Sequence, residues 1–285
     1  MRQSIARYYF SRLNIVYIDT NLFNRELSKP QLLEAALRSG TKYDFSGYQW
    51  GFFEVDLIAG PRGDYLTGIL AKYRLIDRMQ VADVYTQEID ELEVANEIKA
   101  SVRFFLHLRS GLLIHKSKSP DISNQIFQNR FLDIFHKVFG RDVRAEISAI
   151  DERNSLLDEF RSFEKIDKIT LCLVPSNPNL SDMWGDIDQD LKARDIAKLQ
   201  EQYTIRSDRD GRALREDPRI LAKIAMAEDG YGTAEVKGIK NGIKVSRSTK
   251  DLPFFAEVWE ADDPSGRILE NLGDKIAEFF SRFIE

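Results

Sequence analysis

The sequence is poor in the residues that most often bind metals or act as thiol nucleophiles. Its 285 residues include one cysteine, Cys172, and three histidines. A single cysteine excludes an internal disulfide and a cluster of thiolate metal ligands, as is usual in a reducing cytoplasm. Cys172 lies in an apolar run, where a buried thiol is normally inert. Since no His-Glu-x-x-His pair occurs, we interpret the histidines as structural or surface residues.

Long apolar runs are also missing. No run approaches the roughly 20 residues of a membrane-spanning helix, and the first residues lack the apolar core of a signal peptide. We therefore expect a cytoplasmic protein that begins at residue 1 and has no membrane partner. The net charge of −5 argues against a wholly basic surface for nucleic acid, although a local basic patch is compatible with it.

Motifs for nucleotide or ester hydrolysis are absent as well. Neither glycine-bearing turn, Gly60–Gly63 or Gly238–Gly242, ends in Gly-Lys-Ser/Thr, and there is no Gly-x-Ser-x-Gly elbow. Residues 186–190 have the alternating acids that begin a calcium loop, but Leu191 and Ala197 occupy its glycine and glutamate positions. We interpret these acids as the first turn of a helix, where they complement the helix dipole. No cofactor or metal is expected from these motifs.

The residues that are present predict an α+β protein organised around residues 100–175. Val102–Leu108 alternates in polarity and Ser110-Gly111 offers a turn, so a hairpin is expected. A helical apolar stripe runs over Ile126–Phe139 and ends at Gly140. A strand, a helix and a strand are predicted next, at 143–147, 151–163 and 169–174. The last strand is almost wholly apolar, as expected of a central strand covered on both faces. This order predicts a ferredoxin-like ββαβαβ central unit in a mixed, mostly antiparallel sheet with helices packed on it.

Further elements are predicted on both sides of this unit. Before it we expect a strand, a helix, two paired strands and an acidic solvated connector or edge element, at 8–18, 28–39, 45–58, 65–76 and 82–98. After it we expect two helices, a hairpin about Asn241-Gly242, a strand and an amphipathic helix, at 191–203, 218–228, 232–250, 253–260 and from 264. A boundary near residue 178 would divide an α+β core domain, 1–178, from a basic C-terminal helix and hairpin domain, 179–285.

Basic side chains cluster in the last third of the chain. The candidate nucleic-acid contacts are Arg206, Arg209, Arg212, Arg215, Arg219, Lys237, Lys244 and Arg247. A turn at Asn241-Gly242 would place Lys237, Lys244, Ser246 and Ser248 on one face of a hairpin, where they can contact successive phosphates. A solvated surface of mixed charge remains the alternative, because four acids interrupt the arginines: Asp208, Asp210, Glu216 and Asp217.

One short pattern suggests catalysis. Asp229 is followed by Glu235-Val-Lys237, which resembles the Asp…Glu-x-Lys motif of the restriction-endonuclease-like superfamily over fewer than ten residues. The resemblance implies that Asp229 and Glu235 hold Mg²⁺ while Lys237 stabilises charge on a phosphate. Mg²⁺ would be a cofactor only under this interpretation.

The layout of the chain carries a second resemblance. Its central unit up to Pro175–Asn179, followed by a basic region with Ser246–Thr249, resembles uncharacterised bacterial proteins found near phage-defence genes. The resemblance implies a cytoplasmic component of an anti-phage system, and our first hypothesis is a non-catalytic nucleic-acid-binding protein. The alternatives are a metal-dependent nuclease effector and a protein–protein scaffold. The scaffold would use the C-terminal amphipathic helix to bind a partner from the same gene cluster.

Overall fold

The computed structural model describes residues 4–17, 28–83, 85, 87–117, 120–140, 143–152, 155–176, 181, 183–251, 253–260 and 265–283. Within this part of the chain the α+β class is confirmed. The strands are β1 (Ser4–Tyr17), β2 (Lys42–Phe45), β3 (Tyr48–Gly60), β4 (Gly63–Asp83), β5 (Glu88–His107), β6 (Leu112–Lys116), β7 (Val143–Ala149), β8 (Lys165–Leu173), β9 (Leu199–Thr204), β10 (Gly232–Lys240), β11 (Ile243–Ser248) and β12 (Phe255–Glu260). The helices are α1 (Lys29–Arg38), α2 (Asn124–Phe139), α3 (Ser155–Ser162), α4 (Gly185–Ala193), α5 (Arg212–Arg215), α6 (Pro218–Glu228), α7 (Ser265–Asn271) and α8 (Gly273–Phe280).

The first sheet contains eight strands in the order β12-β1-β6-β5-β4-β3-β2, with β7 beside β1. Its strand pairs are antiparallel, as the sequence predicts for most of them. The long strand β1 pairs with β12 over Ser4–Tyr9 and with β7 over Ser11–Tyr17, so these two strands follow one another along its edge. β1 is therefore the strand that joins the N-terminal, central and C-terminal parts of the chain.

Around β1 both faces of the first sheet are covered, which follows from the alternation of β1. Leu13 belongs to a first apolar cluster, in which α1 and α2 pack on one face of the sheet. Tyr8 and Phe10 belong to a third cluster, in which α7 and α8 pack on the opposite face. Each large apolar side chain buried in this way stabilises the fold by roughly 1.5–3 kcal/mol relative to an exposed one.

The second sheet contains four strands in the order β11-β10-β8-β9, all antiparallel. Its inner face carries Ile169, Leu171, Ala234 and Val236, which pack with α3, α4 and α6 in a second apolar cluster. Strand residues between these point to the opposite side. The sheet is thus a two-layer unit with helices on the inner face.

The central unit has the predicted order of elements but not the expected shared sheet. Its strands β5, β6 and β7 belong to the first sheet, whereas β8 belongs to the second. The sequence also predicted β8 as a central strand covered on both faces, and this is wrong for its Thr170 and Cys172 positions, which are only half-buried. The apolar run of β8 supplies inward-pointing residues for one of its faces. The small side chains of Thr170 and Cys172 suit the other face, which is uncovered.

Two other predictions need correction. The helix predicted over 191–203 is wrong, because α4 ends at Ala193 and Leu199–Thr204 forms β9. Leu199, Glu201 and Tyr203 alternate inward with a period of two, which competes with the helical spacing of the preceding residues. For the acidic stretch 82–98, predicted as a connector or edge element, the connector is wrong, because the stretch contains the end of β4 and the start of β5, paired as a hairpin.

The predicted boundary at 178 lies among residues 177–180, outside the described part of the chain, and stays a prediction. Three strand pairs cross this position. β8 pairs with β10 and β9, and β1 pairs with β12. The division into two sheets therefore does not follow the division of the sequence at 178.

Candidate nucleic-acid interface

The outer face of the second sheet is the side opposite its helices. Strand register defines its members as Lys165, Lys168, Thr170, Cys172, Gln200, Gln202, Thr204, Thr233, Glu235, Lys237, Ile239, Lys244, Ser246 and Ser248. Lys237 lies directly between Ser246 of β11 and Lys168 of β8, and Lys168 is opposite Thr204 of β9. A row of four cationic and hydroxyl side chains thus crosses the sheet.

The hairpin that carries part of this face has the predicted turn. Asn241 and Gly242 have φ values of 51° and 72°, the left-handed backbone that a two-residue hairpin loop requires. Gly238 allows β10 and β8 to approach closely at an irregularity of the pairing, since a Cβ there would overlap the carbonyl oxygen of Lys165. The local sequence therefore sets the register that brings Lys237 and Ser246 together.

The outer face carries four lysines and one acid. Lys168 and Lys237 are directly opposite each other, an arrangement that destabilises a sheet when both side chains are charged. Glu235 relieves part of this repulsion, because its carboxylate lies 3.0 Å from the Lys237 ammonium and accepts a hydrogen bond from Ser246. The hydrogen bond with Lys237 lowers the pKa of Glu235. Lys244 is exposed at the end of the hairpin.

The predicted arginines from Arg206 to Arg219 lie outside the strands that form the outer face. Each of the first four has a carboxylate within 4.0 Å: Arg206 and Arg209 at Asp208, Arg212 at Glu216, Arg215 at Asp210. They do not form one helical stripe either, because only 212–215 and 218–228 are helical. Arg219 lines a cavity of about 440 Å³ with Glu201 and Asp217.

Arg247 is also on the other side of the hairpin. It is opposite the buried Val236 and lies 2.9 Å from Glu159. Of the eight candidate contacts, Lys237 and Lys244 are therefore the two that the fold places on the outer face. Lys168 is an additional cation there that the sequence interpretation missed, because β8 was expected to be covered on both sides.

The residues of the nuclease motif have separate partners. Asp229 ends α6, is 8% exposed, and accepts a 2.8 Å hydrogen bond from the indole of Trp184. Burial raises the pKa of Asp229, against the lowering effects of Trp184 and Arg282. Glu235 instead pairs with Lys237 on the outer face. Within the described residues, no three His, Cys, Asp or Glu side chains are grouped as metal ligands would be.

Asp229 belongs to a buried polar cluster that the sequence did not reveal. Arg12 donates to the backbone oxygens of Asp229 and Ser110 at 2.9 and 3.0 Å and to the hydroxyl of Tyr231. Its guanidinium also lies over the rings of Tyr231 and Phe279, at 4.0 and 4.9 Å. Arg12 therefore connects β1 of the first sheet to the start of β10. An arginine in an alternating strand pattern is ordinarily expected to face solvent, so no local signal identified it.

The apolar side of the amphipathic C-terminal segment packs against other parts of the same chain. Leu269, Leu272, Ile276 and Phe279 are buried in the third cluster. The apolar side that a scaffold was expected to use is thus part of the core. No helix in the described part of the chain combines the length and apolar character needed to cross a membrane.

The comparisons with known proteins identify a family. A family model described as a domain of unknown function, DUF4747, matches residues 6–269. This range includes both sheets, from β1 to the first residues of α7. No curated protein matches the chain.

Proposed function

Because the chain belongs to the DUF4747 family, whose function is unknown, we propose its function from the geometry of the structure. It is a non-catalytic protein that binds nucleic acid phosphates through the outer face of its second sheet. The observation that carries this proposal is the register that lines up Ser246, Lys237, Lys168 and Thr204 across four strands.

The chemistry of the outer face fits a phosphate backbone. Lysine ammonium groups and serine or threonine hydroxyls are common contacts to phosphate oxygens, and they carry little base specificity. The outer face has no aromatic side chain among its described members, so base stacking does not contribute. The proposal therefore specifies weak sequence preference and a strong dependence on salt.

The first test compares two variants with the same change in charge. K237E/K244E reverses two cations of the outer face, whereas R206E/R209E reverses two exposed arginines next to Asp208. We expect K237E/K244E to weaken binding to DNA or RNA at least tenfold. Its salt dependence on duplex DNA should also flatten, by about 0.9 in the log–log slope for each phosphate that the variant no longer neutralises. Equal effects of the two variants would contradict the proposal.

The single cysteine provides a second measurement. Cys172 lies on the outer face, half-buried, opposite Thr233 and Gln200. Bound nucleic acid should slow alkylation of Cys172 by a maleimide, and high salt should restore the rate. An alkylation rate unaffected by saturating nucleic acid would place the binding surface elsewhere on the protein.

The proposal extends to a cellular role in anti-phage defence, supported by the resemblance in layout. Bacteria that carry the gene with its neighbours should resist phages that plate efficiently on a strain without it. The K237E/K244E variant should lose this protection while R206E/R209E retains it. Equal plating of a panel of phages on all strains would contradict the cellular role. The binding proposal would then be tested only by the two assays above.

A further inference from the structure

The outer face of the second sheet divides into a cationic half and a neutral half. Its register forms four rows of side chains across the strands. The two rows nearest the Asn241-Gly242 turn contain the four lysines of the face: Lys165, Lys168, Lys237 and Lys244. Besides Glu235 and Cys172, the other two rows contain neutral hydrogen-bonding side chains: Thr170, Gln200, Gln202, Thr233 and Ser248. Positive charge is therefore confined to one end of the face.

The cationic half has more positive charge than its one neighbouring acid can balance. Glu235 lies 3.0 Å from the Lys237 ammonium, and Lys165 donates a 2.7 Å hydrogen bond to the backbone oxygen of Ser207. Lys168 and Lys244 form no ion pair with any residue that the structure describes. Lys237 and Lys244 are exposed and Lys168 is half-buried, so the three ammonium groups are accessible to a ligand. This excess of charge suits a strand of phosphates.

The neutral half offers hydrogen-bond donors and acceptors in place of charge. Gln200 and Gln202 are exposed on β9, while Thr170 and Thr233 are half-buried on β8 and β10. Hydroxyl and amide side chains can both donate and accept, which is what the 2′-hydroxyl of a ribose also does. Successive rows are two residues apart along a strand, or about 7 Å. These side chains therefore lie beside the phosphates that the lysines would bind.

The width of the sheet distinguishes between the grooves of nucleic acid duplexes. Three strand spacings of about 4.8 Å separate β11 from β9, which gives about 14 Å across the four strands. The major groove of B-form DNA is about 12 Å wide and admits a helix or a two-stranded ribbon, and its minor groove is narrower. The minor groove of an RNA duplex is instead wide and shallow, and it displays 2′-hydroxyls. A four-stranded polar face can lie across that groove.

The composition of the face also distinguishes a duplex from a single strand. Proteins that bind single strands gain roughly 1–3 kcal/mol per base from stacking on aromatic side chains. No member of the outer face in the described part of the chain is aromatic. Contacts to phosphates and sugars remain, and an RNA duplex presents both without exposing its base faces.

We infer that the outer face recognises double-stranded RNA. The lysines of the cationic half contact the phosphates of one strand, and the neutral half lies over the adjacent minor groove, where its hydroxyl and amide groups bind 2′-hydroxyls. The inference rests on the proposed function and names the substrate class of the same site. Recognition of this kind depends on the shape and sugar of the duplex and only weakly on its sequence.

Binding of four probes to the full-length chain tests the inference. The probes share one sequence and length: an RNA duplex, a DNA duplex, a single-stranded RNA, and an RNA duplex with 2′-O-methyl riboses. At one salt concentration we expect the RNA duplex to bind about tenfold more tightly than the DNA duplex or the single strand. The methylated duplex should lose most of this advantage, because methylation removes the 2′-hydroxyl donor and leaves the phosphates in place.

Two kinds of variant separate the halves of the face. Q200A/Q202A removes two exposed amides of the neutral half, so it should weaken binding of the RNA duplex and leave binding of the DNA duplex unchanged. K237E/K244E should weaken binding of both duplexes, since both present phosphates. Q125A, at an exposed glutamine of α2, is the matched control and should change neither. Thermal unfolding checks that each variant folds like the wild type.

The outcomes distinguish this inference from the proposed function. A DNA duplex or single-stranded RNA that binds as tightly as the RNA duplex, and more weakly to K237E/K244E, would overturn the inference and leave the proposed function in place. Unchanged binding of the RNA duplex to a folded Q200A/Q202A protein would likewise overturn the inference. Failure of all four probes to bind would overturn both.

Discussion

The guanidinium of Arg12 is buried between β1, the end of α6 and α8, where the apolar clusters meet. Asp229 is next to it and lies 3.6 Å from the equally buried Arg282. Removing one member of such a group leaves the others without compensation, which typically destabilises a protein by about 3–5 kcal/mol. The contacts of the buried Asp229 carboxylate thus indicate that this side chain has a structural role.

We expect D229A to lower the free energy of unfolding by about 3 kcal/mol, because Trp184 loses its acceptor and Arg282 its counter-charge. Urea unfolding measures this loss, with D208A as the control at an exposed carboxylate. A nuclease role predicts the opposite pattern: unchanged stability, and loss of Mg²⁺-dependent cleavage of plasmid or RNA. A stable D229A protein would revive the catalytic interpretation.

Glu228 provides a pH-dependent prediction. Its carboxylate accepts hydrogen bonds of 2.6 and 2.9 Å from the amides of Leu156 and Leu157 at the start of α3. Burial raises the pKa of Glu228 to about 8, from 4.5, so the folded state holds the proton more tightly than the unfolded state. Stability from this group is complete below pH 4.5 and is lost as the pH rises through 8.

E228Q keeps both acceptor contacts and removes the titration. Between pH 6.5 and 8 the wild type should lose stability relative to E228Q, at a slope of up to about 1.4 kcal/mol per pH unit. Asp151, whose pKa burial raises to about 7, titrates in the same direction, and its charge also contributes to the raised pKa of Glu228. Denaturant unfolding across this range, with E270Q as an exposed control, measures the slope. Parallel curves for the wild type and E228Q would contradict the assignment.

At the level of elements, the second sheet combines a buried inner face with a charged outer face. β8 and β10 each alternate between the two, so that Lys168 and Lys237 stand opposite while Ile169 and Val236 are buried. A pair of like charges across a strand costs roughly 0.2–1 kcal/mol. Nucleic acid phosphates bound to both lysines would remove that cost.

K168Q should therefore stabilise the free protein by a few tenths of a kcal/mol and weaken nucleic-acid binding at the same time. Urea unfolding and a filter-binding titration measure the two effects. K250Q serves as the control, since Lys250 is exposed and lies beyond the end of β11. A K168Q protein that binds nucleic acid as well as the wild type would exclude Lys168 from the interface.

For the whole molecule, the two sheets are connected by strand pairing across distant parts of the sequence. A fragment of residues 1–178 would lack β12 beside β1 and both neighbours of β8. We expect this fragment to show no cooperative thermal transition and a poorly dispersed amide spectrum, whereas the full chain unfolds cooperatively. A fragment with a native-like spectrum would support the boundary predicted near 178.

The sequence by itself determined the elements that depend on neighbouring residues. Period-two alternation predicted the last residues of β5, from Val102 onward, the stripe over Ile126–Phe139 predicted α2, and Asn241-Gly242 predicted the β10–β11 hairpin. These signals are local, because side-chain period, helix capping and turn conformation involve residues a few positions apart. The α+β class followed from their order.

Only the tertiary structure decided which strands share a sheet and which charges are exposed. Alternation in β8 gives the same pattern whether it pairs with β7 or with β10, since register depends on a partner far along the chain. Arg12, Lys29 and Asp229 are buried by segments distant in sequence. Charge spacing in a sequence carries no information on such long-range contacts, because burial and pairing are set when the sheets pack together.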